Sequence, residues 1–274
     1  MAKLLDAHLH LWDPWERHHD WLDDVPELRR RFVPEDVDAG SYELAGAIFV
    51  QADCRDGEAL EEVRWVQDVG PPLVHGIVAY APVHLGADAA PQLEILAGEP
   101  LVVGVRRLLQ GGTDAAILGR GLREGVSLLA DLELTFDICV RHDQLAAAAE
   151  LVAACPRTSF VLDHLGKPPV ATGALDPWRT DIARLASFEN VTCKLSGLGT
   201  EAATGWTSAD VRPYLEHAID VFGPARCMIG SDWPLMTLAG TMEQWFDAVS
   251  EVLTDEDRHA VLCGTVCAFY GVEP

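Results

Sequence analysis

The feature that most constrains the fold is a regular alternation of short apolar runs with helical stretches, repeated eight times along a chain of 274 residues. The runs occupy residues 4–10, 46–52, 73–81, 101–109, 135–140, 159–164, 191–196 and 227–231. Each is near-continuously apolar, as strands covered on both faces should be, and intervening segments such as 57–70 and 143–155 suit crossover helices. Helix punctuation agrees. Thr241 with Gln244 has capping-box spacing, Asp143 is placed to N-cap a run of alanines and leucines, and Gly223-Pro224 stops the helix before the eighth run. Eight such units predict an α/β protein, a single-domain (β/α)8 TIM barrel over residues 1–274, whose active site gathers at the C-terminal strand ends. A doubly wound open sheet is the competing arrangement, but no Gly-x-Gly-x-x-Gly follows the first run. No internal repeat, low-complexity tract or linker divides the chain.

Charge narrows the partners. Asp and Glu number 43 against 20 Lys and Arg, a formal charge of -23 that repels phosphate backbones and argues against nucleic acid. The acidic residues recur at Glu58, Glu61, Glu62 and Asp68, and again at Glu243, Asp247 and Glu251, the pattern of solvated outer helix faces. No run approaches the ~18 apolar residues of a membrane span. The N-terminus leads directly into the first strand without the regions of a secretory signal, so a cytoplasmic location is expected. Seven cysteines, an odd number without a Cys-x-x-Cys pair, fit reduced thiols. Cys263 and Cys267, one helical turn apart, read as small apolar residues.

The first strand carries the chemistry. Strand side chains alternate between faces, so Asp6, His8 and His10 are expected to point the same way. Two neighbouring imidazoles on a buried strand need polar partners and suit a metal ion or a substrate oxygen; a structural pair near a strand end is the other reading. Run six ends in Asp163-His164-Leu165-Gly166-Lys167-Pro168, run seven in Lys194-Leu195-Ser196-Gly197, and run eight in Gly230-Ser231-Asp232-Trp233-Pro234. In a barrel all three open onto the same mouth as His8 and His10.

These blocks, together with Asp6-Ala7-His8-Leu9-His10-Leu11-Trp12-Asp13-Pro14, Gly104-Val105-Arg106-Arg107-Leu108-Leu109-Gln110 and the closing Gly264-Thr265 and Phe269-Tyr270, resemble the amidohydrolase superfamily. Within it they are similar to the sugar-acid lactonase branch, which includes L-fuconolactonase and 2-pyrone-4,6-dicarboxylate lactonase. The resemblance runs the whole chain. It implies hydrolysis of a lactone, an aldonolactone above all, as a small-molecule substrate. Asp232 would be the general base, with His8, His10 and His164 stabilising the oxyanion, either around one divalent ion held by His8, His10, His164 and Asp232, zinc by preference, or without metal. Run four holds no lysine, which argues against the two-metal site of other superfamily members. Arg106 and Arg141 are candidate substrate anchors or structural ion pairs. Lys194 would steady the leaving oxygen or pair with Asp232, and Trp12, Trp21 and Trp233 would wall the pocket or simply pack. A metal-dependent decarboxylase, a cyclic amide hydrolase and an inactive ligand-binding barrel are the rival functions. A homo-oligomer is compatible with all of them.

Overall fold

The computed structural model describes residues 3–274. Eight parallel strands pair in sequence order: β1 (Leu4–Leu9), β2 (Leu44–Val50), β3 (Val74–Tyr80), β4 (Val102–Leu108), β5 (Thr135–Cys139), β6 (Phe160–Leu162), β7 (Val191–Leu195) and β8 (Cys227–Ile229). The ring closes just beyond β8, where the His10 amide donates to the Trp233 carbonyl at 2.7 Å and the Asp232 amide to the His8 carbonyl at 2.8 Å. The single-domain (β/α)8 barrel is therefore the observed architecture, and each predicted run holds one strand. No helix among the described residues is long and apolar enough to cross a membrane.

Strand periodicity separates two layers of packing. Leu4, Phe49, Ile77, Val105, Phe136, Leu162, Cys193 and Ile229 face the surrounding helices in one large core. Leu5, Ala7, Ile48, Val50, Val78, Val161 and Met228 face the barrel axis, where Cys263, Val266 and Tyr270 of the C-terminal segment cover them. The inner apolar layer fills only one end of the barrel. At the other end the axis-facing positions are Arg106, Asp137, Asp163 and Lys194, so a buried polar layer lies directly beneath the mouth.

Helix Ala59–Val69 shows how the crossovers pack. Ala59, Glu62, Val63 and Val66 fall on its buried face while Glu61 and Asp68 point outward. Glu62 thus departs from the expected solvated face: it is 1% exposed and accepts the Ala52 amide at 3.1 Å, tying the helix to the loop after β2. Two helix starts also differ from expectation. Gln144, not Asp143, precedes helix Leu145–Ala154, its side chain accepting the Arg141 amide at 3.0 Å. Thr241 Oγ1 accepts the Gln244 amide at 3.1 Å, but the Gln244 side chain donates to the Trp206 carbonyl, so the box is half formed. Gly223, at φ 75°, ends helix Ser208–Phe222 as expected. The cysteines are unbridged, and Cys263 and Cys267 face each other at 3.8 Å across a π-helical turn.

Candidate active site

A β-bulge in β1 sets the direction of the first two histidines. Asp6 pairs with Ala47 and Leu9 with Phe49, so three steps on β1 match two on β2. Leu5 and Ala7 face the axis before the bulge, and Leu9 faces the helices after it. His8 and His10 consequently both face the axis, as their spacing predicts. Asp6 does not join them. It turns to Ser231, accepting from both its amide and its hydroxyl, and burial pushes its carboxyl up to about 6 against those bonds. The correction has a simple cause: one extra residue between Asp6 and His8 inverts the alternation.

The imidazoles converge on one carboxylate oxygen. Asp232 Oδ1 lies 3.4 Å from His10 Nε2, 3.8 Å from His8 Nε2 and 3.9 Å from His164 Nε2. Both loop residues sit in the left-handed region, His164 at φ 53° and Asp232 at φ 60°, conformations that side chains seldom adopt and that here aim both inward. Gly197 makes the meeting possible. A Cβ there would stand 2.5 Å from His164 Nδ1 and 3.2 Å from Asp232 Oδ2, and its φ of 67° favours glycine.

Tautomers follow from the partners. His10 Nδ1 lies 2.6 Å from the Val50 carbonyl, an acceptor only, so Nδ1 carries a hydrogen, and in the tautomer this selects Nε2 is bare. His164 Nδ1 is 2.9 Å from Ser196 Oγ, which fixes the ring plane. Burial holds the His164 ring down to about 4, and burial with the nearby Lys194 ammonium holds His8 well below the usual imidazole range, so both are neutral near pH 7. Burial opposes the charge on Asp232, yet His164, His10 and His8, once they carry protons in acid, hold its carboxyl below the ordinary range.

Beneath this cluster lies a buried ion network. Lys194 Nζ contacts Asp137, Asp163 Oδ1 at 3.1 Å and His8 Nδ1 at 3.2 Å. Arg106 donates to Asp163 Oδ2 at 3.2 Å and to the Gln51 carbonyl at 2.6 Å, with Nη1 3.3 Å from His8 Nε2. Tyr270, brought up by the C-terminal helix, donates to Asp137 at 3.1 Å. Burial pushes Asp137 up to about 6 despite Lys194, whereas Lys194, His8 and Arg106 together overcome burial at Asp163 and hold it well below the carboxylate range.

His8 therefore has partners for either tautomer. With hydrogen on Nδ1 it faces Asp163 Oδ1 at 3.3 Å, leaving a bare Nε2 only 3.2 Å from the bare Nε2 of His10. Two lone pairs and a carboxylate oxygen at these separations form an electron-rich triangle that a cation relieves. Ligand atoms of a tetrahedral ion with bonds of about 2.0 Å stand about 3.3 Å apart, so His8, His10 and Asp232 fit a divalent metal. His8, Asp163 and His164 form an overlapping second group.

The cluster opens onto a cavity of about 200 Å3. His10, His164, Asp232, Arg106, Trp12 and Trp21 line it, joined by Asp53, Gln110, Cys139 and Lys167, which carried no role in the sequence reading. Burial pushes the Cys139 thiol up to about 11, so it is protonated and a poor nucleophile. Four expected residues lie elsewhere. Lys194 is fully buried behind His8 and pairs with Asp137 and Asp163 instead of Asp232. Arg141 binds Glu201 at 3.3 Å, away from the cavity lining. Trp233 packs edge-on against Phe32 at 5.3 Å, and His8 is shielded by His10 and His164. Asp137 was the overlooked member with a readable signal: one charged residue inside an apolar strand must find a countercharge, and Lys194 occupies the equivalent interior position on β7.

Known proteins resemble this chain in sequence and in fold. An L-fucono-1,5-lactonase of Burkholderia ambifaria is 30% identical over 286 aligned positions, which cover 100% of this chain and 97% of the relative. Another, from Burkholderia multivorans, is 28% identical and covers 99% of this chain and 97% of its own length. A crystal structure of a Burkholderia multivorans amidohydrolase with bound Zn superimposes with a TM-score of 0.85 at 28% identity, over 99% of this chain and 100% of that one. The amidohydrolase family profile matches residues 5–272, and this chain, a (β/α)8 barrel with three histidines gathered at the mouth, belongs to the amidohydrolase family.

Proposed function

We propose that the chain opens a lactone ring, that of an aldonolactone, by adding water to the ring carbonyl. The observation that carries this reading is the position of Asp232, a buried ionised carboxylate at the cavity wall whose Oδ1 faces three imidazole nitrogens within 3.9 Å. The full-length relation to L-fucono-1,5-lactonases supports the lactone as the substrate class.

In this mechanism Asp232 accepts a proton from water as its oxygen attacks the carbonyl carbon, a role worth on the order of 10²- to 10⁴-fold. Negative charge grows on the carbonyl oxygen, and the fixed Arg106 guanidinium beside His8 meets it. The ring carbon–oxygen bond then breaks, and the proton on Asp232 passes to the departing ring oxygen. The products are a hydroxyl and a carboxylic acid, which releases its proton to solvent. His8, His10 and Asp232 would hold one divalent ion, zinc by its preference for imidazole and carboxylate ligands, and when bound it supplies Lewis-acid polarisation of the carbonyl. His164, oriented by Ser196, keeps a neutral nitrogen toward Asp232 and water.

A pH-indicator screen of aldonolactones is expected to show acid release with purified protein. Amide cleavage without lactone opening would overturn the reading. For the metal, close to one zinc per chain is expected after reconstitution, with His10→Ala losing most of the bound ion by elemental analysis. Unchanged zinc content in that variant would remove His10 from the ligand set. Gly197→Ala places a methyl group against His164, so kcat/KM is expected to fall on the order of 100-fold while stability drops only about 1–2 kcal/mol. Steady-state kinetics beside thermal denaturation check this, and unaltered kcat/KM would show that the ring need not be held in place.

A further inference from the structure

The cavity carries two charged groups that the mechanism does not use, Lys167 and Asp53. Asp53 lies just beyond β2, in the left-handed region at φ 56°. Its amide is held at 2.6 Å by the side-chain oxygen of Gln51, whose own carbonyl receives Arg106. On the other side, Trp21 Nε1 clamps the neighbouring Ala52 carbonyl at 2.8 Å. The backbone around Asp53 is thus fixed from two directions at the cavity wall.

The other charges around the cavity are engaged. Asp232 faces the histidines, Arg106 is bound to Asp163 and Gln51, and Lys167 stands 3.9 Å from Glu201. Among the described residues no cationic side chain lies within 4.0 Å of the Asp53 carboxylate, and no hydrogen bond reaches either of its oxygens. Asp53 is exposed at the cavity, and a carboxylate carried on a fixed backbone with free lone pairs accepts hydrogen bonds from hydroxyl groups and repels other carboxylates.

We propose that Asp53 is a specificity-determining residue that binds ring hydroxyl groups of the substrate and excludes lactones bearing a carboxylate substituent. The inference rests on the lactonase reading and extends it from a reaction to a choice between neutral polyhydroxylated and anionic lactones. Gln51 acts as the positioning residue, setting the Asp53 backbone on one side and anchoring Arg106 on the other.

The test compares two substrates on one preparation: a neutral aldonolactone, and a lactone of the same ring size that carries a carboxylate in place of its hydroxyls. Wild-type protein is expected to prefer the first by at least about 100-fold in kcat/KM. Asp53→Asn retains a side chain that tolerates positive φ and removes the charge. It is expected to weaken the neutral substrate on the order of 10-fold, mainly through KM, and to improve the carboxylate substrate, so that the ratio collapses. Any unfolded fraction cancels in that ratio. A ratio within about threefold of wild type in Asp53→Asn, or equal use of both lactones by the wild type, would overturn the role of Asp53 and leave the lactonase reading standing. If wild-type protein opens neither lactone nor any other in the panel, the lactonase reading fails and takes this inference with it.

Discussion

Asp232→Asn is expected to lower kcat/KM by on the order of 10²- to 10⁴-fold while the fold is retained. The amide matches the carboxylate in shape and tolerates the φ of 60° at this position, so the loop beyond β8 keeps its hydrogen bond from the residue 232 amide to the His8 carbonyl. What is lost is the ability to take a proton from water. Steady-state kinetics on an active lactone, with circular dichroism to confirm folding, provide the measurement; turnover near the wild-type rate would exclude Asp232 as the base. The pH profile carries a second expectation. Because the surrounding imidazoles take up protons in acid before the carboxylate does and so hold Asp232 below the ordinary carboxylate range, the wild-type enzyme should not lose activity through protonation of this group between pH 5 and 8.

Lys194→Met is expected to cost about 3–5 kcal/mol in stability, the cost of leaving buried charge without its partner. Lys194 is completely enclosed and contacts Asp137 and Asp163, so its removal leaves Asp137 with Tyr270 alone, while Asp163 keeps Arg106. The loss has a predictable pH dependence. Asp137 already sits at about 6, above its unfolded value of 3.8, and loss of the ammonium raises it further. A raised carboxyl binds its proton more tightly when folded, so the penalty for ionising it is small at low pH and grows as pH climbs through the folded value. Destabilisation should therefore be larger at pH 8 than at pH 5, and the double variant Lys194→Met/Asp137→Asn should recover part of it. Chemical denaturation at the two pH values measures both effects. A loss below about 1 kcal/mol at pH 8 would mean that the network contributes little to folding.

The barrel was legible because each strand is covered on both faces. Double burial demands unbroken apolar runs, and eight of these separated by crossover lengths admit few other topologies. His8 and His10 were legible through period-two spacing, and His164 and Asp232 through their place at strand ends. Asp6 was misread for a specific reason: a bulge leaves no mark in composition, because it depends on how β1 registers against β2. Glu62 was misread for a different reason: the spacing of Ala59, Val63 and Val66 already puts position 62 on the buried face, and only the loop amide of Ala52 that satisfies its carboxylate depends on tertiary structure.

Local sequence by itself determined which segments become strands and helices, their order around the barrel, and which end of it gathers polar groups, because backbone propensity and burial periodicity are short-range properties. Tertiary structure alone decided which charges meet. Lys194 binds Asp137 and Asp163 instead of Asp232, Arg141 goes to Glu201, Trp233 to Phe32, and Asp53 at the cavity wall finds no partner among the described residues. Partners such as Lys194 and Asp137 are separated by 57 residues, and their pairing follows from the three-dimensional closure of the barrel and the high cost of burying an uncompensated charge, neither of which any local window of sequence contains.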